Sequence, residues 1–327
     1  MADLVARVKR RCRATADNWK NDRQFSSKLA VLRFADDIGN RLGLHSLATR
    51  AHKQKDEFIL DYLQNLIAPV IERYKDDTYQ GEEPESAAPI WVCWWSGEKS
   101  APELVKQCIK SIRKNAGCHP VNLVTETNVG EYLNVNQCIY EKFKAGHIGA
   151  AHFSDYLRVS LLEQYGGIWL DATLFCSQAI PEEFFNLPFF TCKSEVKKGC
   201  YISDFQWVTF CLAGWKHNVF YRFMKDAFEC YWCTKDTAID YLFFDAIIYI
   251  AKKTIPSIRI LMENVPLNNL HRDDLQAAMN AALPAEEFWN IVKEDTVFYK
   301  LSWRESYSKK AQNGVPTVYD YFLKMSL

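Results

Sequence analysis

Between Ser154 and Phe175 the chain reads SDYLRVSLLEQYGGIWLDATLF. Asp155 and Arg158 are three apart, so a helix would set them on one face. Gly166-Gly167 then stops that helix, Ile168 to Leu170 forms a short apolar run, and Asp171 closes it. An arginine fork makes several fixed hydrogen bonds to hydroxyl or phosphate oxygens. On a solvated helix, Asp155 and Arg158 would be an ordinary surface pair contributing about 0.3–0.5 kcal/mol. Two features favour a ligand site instead. The helix is otherwise apolar, and Asp171 sits at the end of a strand where packing gives a carboxylate no role. The glycine turn folds the chain back, so that Asp171 can approach the helix.

An alternation of strands and helices has to position these groups. Ile90–Trp95 (IWVCWW), Val121–Val124 and Ile168–Leu170 read as buried strands. Pro102–Lys114, stretches between Val129 and Lys144, and Ala150–Tyr165 read as helices. The pattern predicts an α/β fold, a mostly parallel sheet flanked by helices. Such sheets bind ligands beyond the carboxyl ends of their strands. Asp171 lies at one such end and Trp94-Trp95 at another. Farther on, Phe189–Lys193 and Val208–Ala213 read as strands, and Phe220–Trp232 and Ala238–Lys252 as helices. The tail from Val297 is aromatic and basic with little period.

Ahead of this region, residues 1–80 read as helical. Lys55–Tyr74 buries one stripe, Phe58, Ile59, Tyr62, Leu63, Leu66, Ile67, Val70 and Ile71, and Pro69 is expected to kink its last turn. The polar stretch Gly81–Pro89 reads as a linker. It divides an N-terminal helical region, 1–85, from an α/β region, 86–327.

Composition narrows the function. Lys+Arg and Asp+Glu are 40 each, so a dedicated nucleic-acid binder is not expected, although a local basic pocket for a phosphorylated ligand is compatible. The eleven cysteines are scattered, and only Cys230 and Cys233 have metal-knuckle spacing, inside an aromatic helical run with no second pair. They read as free thiols of a reducing, cytoplasmic setting. The longest apolar stretch, Tyr241–Ala251, is broken by Asp245 and too short for a bilayer, and no signal-peptide apolar core is visible. MADLVARVKRRCR at the N-terminus reads either as a solvated helix face or as a peripheral membrane contact.

Ser154-Asp155-x-x-Arg158, Gly166-Gly167 and Asp171-x-Thr173 together resemble the core of sugar-nucleotide glycosyltransferases with the Rossmann-like GT-A fold. The nearest group is the capsular polysaccharide synthesis type, related to the yeast initiating mannosyltransferase and the large clostridial glucosylating toxins. The resemblance runs over about residues 88–305, tightest over 150–175 and looser in IWVCWWSG and VFYKLSW. It implies hexose transfer, with retention, from a nucleotide-diphosphate sugar to a saccharide or lipid-linked saccharide acceptor in capsule or other surface-polysaccharide synthesis. It implies a catalytic set of Asp155, Arg158 and Asp171, with the first two gripping the sugar. Donor contacts are expected from Ser154, Thr173, Lys300, Ser302 and Trp303, and base stacking from Trp94 or Trp95. The resemblance also implies Mn²⁺ or Mg²⁺ on Asp171, because carboxylates suit hard cations. Thr173 departs from this DXD-like pattern, which has a second acid there. Either Asp171 and a distant group hold the ion, or cationic side chains do part of its work. Asn128 reads as a helix cap, Asp240 and Asp245 as surface or acceptor-binding acids, and His147 and His152 carry no assigned role. The rival classes are a nucleotide-sugar-binding protein without transfer and an interaction protein working through its first 80 residues. If the site exists, Asp171→Asn and Arg158→Ala are each expected to lose most activity while folding normally.

Overall fold

A computed structural model describes residues 19–84, 87–197, 202–282 and 287–326. The basic N-terminal segment, with its proposed membrane contact, lies outside them.

Among the described residues, seven short strands carry the α/β region: β1 (Ile90–Cys93), β2 (Val121–Val124), β3 (Gly167–Leu170), β4 (Leu174–Cys176), β5 (Phe189–Thr191), β6 (Cys211–Gly214) and β7 (Phe298–Lys300). Five form one sheet in the order β2-β1-β3-β6-β5. β1 runs parallel to β2 and β3, while β6 is antiparallel to both of its neighbours, β3 and β5. Four of the five strands therefore point one way, and helices flank the sheet. β4 leaves β3 by a tight turn and pairs with β7 in a separate two-stranded ladder, Leu174 opposite Lys300. Pairing with β4 buries Phe298 and Tyr299, which is why the weakly periodic tail holds a strand.

The Ala150–Tyr165 helix has the predicted limits. Gly166 (φ 66°) ends it, and Gly167 (φ 90°) enters β3. A Cβ at Gly167 would sit 2.0 Å from the Pro89 carbonyl oxygen, so both the backbone angle and the space require glycine. This turn sets the separation between Arg158 and Asp171.

The Lys55–Tyr74 stripe breaks rather than kinks. One helix covers His45–Leu66 and a second Ala68–Tyr74, with Pro69 in the first turn of the second, where a missing N–H costs nothing. These helices, and Leu29 on a preceding helix, Ser27–Arg41, share a continuous core with the sheet: Leu29, Ile59, Leu63, Val70 and Tyr74 belong to the same buried cluster as Ile90, Val92 and Ile168. Arg33 pairs with Asp22 and Asp240, each at 2.9 Å, and Tyr74 Oη donates to Asp226 at 2.8 Å. The stretch expected as a linker is partly anchored, because the Glu82 N–H donates to the Lys216 carbonyl at 3.0 Å. No helix among the described residues is long and apolar enough to cross a membrane.

Candidate active site

Beyond the carboxyl ends of β1 and β3 lies a cleft of about 390 Å³, within the usual size range of small-molecule sites. Its polar groups come from separate elements. Ser154, Asp155 and Arg158 project from the Ala150–Tyr165 helix, Asp171 and Thr173 from the β3–β4 turn, and Lys300 from the end of β7. Main-chain bonds fix the turn. The Asp171 N–H donates to Phe210 O and the Leu174 N–H to Asp171 O, both at 2.9 Å, and the Leu301 N–H donates to Thr173 O at 3.0 Å.

Asp171 is the hub. Its Oδ1 accepts from Arg158 Nη2 and from Trp169 Nε1, both at 3.0 Å. Its Oδ2 accepts from Lys300 Nζ at 2.9 Å, and the same ammonium donates to Thr173 Oγ1 at 2.6 Å. Arg158 is only 4% exposed and lies against the faces of Trp169 and Phe244, 5.0 and 5.5 Å from their centroids. Its Nη1 forms an ion pair with Asp155 Oδ1 at 3.1 Å, without the alignment of a hydrogen bond. Nε and Nη1 therefore keep unused donors, an uncommon state for a buried guanidinium and one that a ligand oxygen would relieve.

The carboxylates differ because their neighbours differ. Burial works to raise Asp171, but the Lys300 and Arg158 charges outweigh it and hold this group below the usual carboxylate range. Asp155 is raised by burial, opposed chiefly by the one cation it shares with Asp171. Asp245 is pushed up to about 6, first by burial and then by the Asp155 charge, against a Trp207 indole hydrogen bond of 2.9 Å. The Cys93 thiol at the cleft wall is raised by burial to about 12 and stays protonated at neutral pH.

The donor set does not fit Mn²⁺ or Mg²⁺. Such ions want several oxygen ligands in a near-octahedral shell. Both Asp171 oxygens already accept hydrogen bonds, and at Thr173, where the DXD-like pattern has its second acid, a hydroxyl binds Lys300. The ammonium and guanidinium supply positive charge where an ion would.

Trp94, Ser154, Asp155, Arg158, Asp171, Thr173, Lys300, Ser302 and Trp303 all line this cleft. Trp94 meets Trp303 edge to face at 5.9 Å. Of the two tryptophans expected as alternatives for base stacking, Trp95 faces away from the cleft. It packs edge-on against Phe143 and Phe153, at 5.3 and 5.1 Å, and is not part of the lining. Asn128 occupies the position before the Val129–Tyr132 turn of helix. Its side chain bonds Thr125 and Leu123 rather than capping that helix. Asp240 pairs with Arg33, away from the cleft. His152, assigned no role from sequence, lines the cleft beside Tyr241, and its Nε2 is buried without a partner. Arg304 and Asp245 are further lining groups. Arg304 gave no sequence signal. Asp245 did, as the lone acid inside the longest apolar run, although its five-residue distance from Asp240 concealed which of the two faced inward.

No curated protein matches the chain. The model of the family described as "capsular polysaccharide synthesis protein" matches residues 40–322 and takes in the helices from His45 to Tyr74, the sheet and the whole cleft. The chain belongs to the family of capsular polysaccharide synthesis proteins.

Proposed function

We propose that the protein is a glycosyltransferase of surface-polysaccharide synthesis, moving a hexose from a nucleotide-diphosphate sugar to a saccharide hydroxyl. The observation that carries this reading is the convergence of two fixed cations and three carboxylates in one cleft at the carboxyl edge of the sheet. A departing diphosphate needs positive charge that is already in position. Lys300 and Arg158 offer it, held in place by Asp171. The unused Arg158 donors and Asp155 suit the hydroxyls of the transferred sugar, and Trp94 with Trp303 suits the planar base. Retention fits a front-face route in which a diphosphate oxygen takes the acceptor proton. Catalysis is then mostly positioning and charge neutralisation.

The acceptor has its own space. A second cavity of about 250 Å³, with Trp207, Phe210 and Arg272 in its lining, meets the cleft at Thr209, Leu242 and Asp245. Aromatic faces with a few polar groups suit a saccharide. Asp245 stands between the two spaces, where its carboxylate accepts a hydrogen bond from a neighbouring hydroxyl of the acceptor and so orients the attacking one. A cytoplasmic setting and a lipid-linked acceptor belong to the same proposal.

Ligand-induced thermal shift tests the reading. A panel of nucleoside diphosphates and their sugars, each at about 100 times its Kd, should stabilise the protein by about 2.7 kcal/mol for the right base. Turnover of the matching nucleotide sugar then separates a transferase from a binding protein. No stabilisation by any nucleotide of the panel would end the proposal. Since the residues do not fit a divalent ion, turnover is expected to stay within about twofold when EDTA is added.

Asp245 adds a pH dependence. With its pKa near 6, activity should fall below about pH 6 as the carboxylate protonates, and Asp245→Asn should lack that limb at a much lower plateau. Stability has the opposite sign. The folded state binds this proton more tightly than the unfolded chain, so the contribution is present at acid pH and lost as pH rises through about 6. Urea titrations should find Asp245→Asn more stable than the parent at pH 8, by about 1–3 kcal/mol, and equal to it below about pH 4.

A further inference from the structure

At the opposite end of the parallel strands from the cleft, the turn before β2 carries Cys118 and His119, and Glu182 opens the short turn of helix Glu182–Phe184. One ligand atom from each of the three lies within 4.8 Å of the others, the only group of this kind among the described residues. His119 is 7% exposed, and its ring stacks on Phe185 with centroids 3.4 Å apart. Its Nδ1 lies 2.8 Å from the Ala88 carbonyl oxygen. A carbonyl only accepts, so Nδ1–H donates to it, and Nε2 faces the Glu182 carboxylate at 3.1 and 3.3 Å. Two electron-rich groups at that distance repel unless something positive lies between them. A proton there would make an ion pair of His119 and Glu182 and involve only those two groups. A cation would use all three groups.

We propose that Cys118, His119 and Glu182 bind a Zn²⁺-class cation, with water as the fourth ligand. Sulfur, imidazole and carboxylate together form the donor set of zinc rather than of calcium or magnesium. Nδ1–H donated to a backbone carbonyl is the outer-shell bond that orients a metal-ligating histidine. On binding, the cation replaces the thiol proton of Cys118, which passes to solvent, and forms the metal–sulfur bond. The site straps the turn entering β2 to the segment following β4 and stabilises the fold there. It is independent of the cleft and of the proposed transfer reaction.

The full chain, reduced and freed of metal by a chelator, would be titrated with Co²⁺. The expected result is a thiolate-to-cobalt charge-transfer band that saturates at one equivalent and is displaced by Zn²⁺. Cys118→Ser should lose the band, and Glu182→Gln should weaken binding by about tenfold or more. Both positions are exposed, so folding is expected to survive, which circular dichroism of the metal-free variants checks. X-ray absorption on the unaltered protein with one Zn²⁺ needs no variant and should find one sulfur among its ligands. A Co²⁺ complex without the band, the same band in Cys118→Ser, or a zinc shell of nitrogen and oxygen alone would each overturn the proposal.

Discussion

Lys300→Met is expected to lower the rate of sugar transfer by about 10²–10³-fold, the usual loss when one preorganised donor to a developing negative charge is removed. Lys300 touches nothing that a core needs. Its ammonium is partly exposed and its partners are Asp171 and Thr173, which other groups also hold. Removing it leaves Asp171 bonded to Arg158 and Trp169, so the stability cost should stay within about 1–2 kcal/mol. The charge Lys300 meets grows as the diphosphate leaves, so the loss should fall on kcat more than on KM. Lys300→Arg keeps a cation on a different stem and should recover part of the rate. Single-turnover measurements with the nucleotide sugar found by thermal shift would decide this. A methionine variant within about threefold of the parent rate would remove Lys300 from the mechanism, and a large KM effect with an unchanged kcat would make it only a binding group.

Most of this site was legible because its residues sit where local rules break. Asp171 follows a strand with nothing to pack, and Gly166-Gly167 is a turn only glycine can make against Pro89. Thr173 in place of an acid left open a distant metal ligand or cationic side chains, and Lys300 at the end of β7 bonds both Asp171 and Thr173. What sequence alone left open is long-range pairing. β4 meets β7 across more than a hundred residues, so no local period announces that strand or the turn it braces. The Trp94/Trp95 ambiguity has the same origin. Alternation assigns opposite faces to neighbours, but only the Phe143–Phe153 stack determines which tryptophan turns away from the cleft. For Asp245 the helix had to start at Phe243, after Asp240, before the two acids could be told apart.

Arg158→Ala is expected both to abolish transfer and to destabilise the protein, so the sequence-based expectation of normal folding holds only for Asp171→Asn. The guanidinium is buried between two aromatic faces and is the cation that pairs with both Asp155 and Asp171. Truncation leaves a cavity and two carboxylates without their shared partner. Removing one member of a buried ion pair typically costs about 3–5 kcal/mol, and the partial exposure of these aspartates argues for the lower part of that range. The pH dependence identifies the cause. In the parent, Asp171 is held below its ordinary value, so its contribution is present above the unfolded pKa and lost as acid protonates the folded group. The alanine variant loses the Arg158 share of that contribution while Lys300 keeps its own, and Asp155 loses its main countercharge against burial. Urea unfolding should therefore separate parent and variant most at neutral pH, with the gap narrowing as pH falls below about 4 and the acids protonate in turn, Asp171 last. A cavity alone would give a gap that does not change with pH. Adding Asp155→Asn to Arg158→Ala should restore part of the stability without restoring transfer, since one of the two stranded charges is then gone. If the double variant is no more stable than Arg158→Ala, Asp155 does not depend on this arginine, and the charge network that positions the proposed donor site is not the one described.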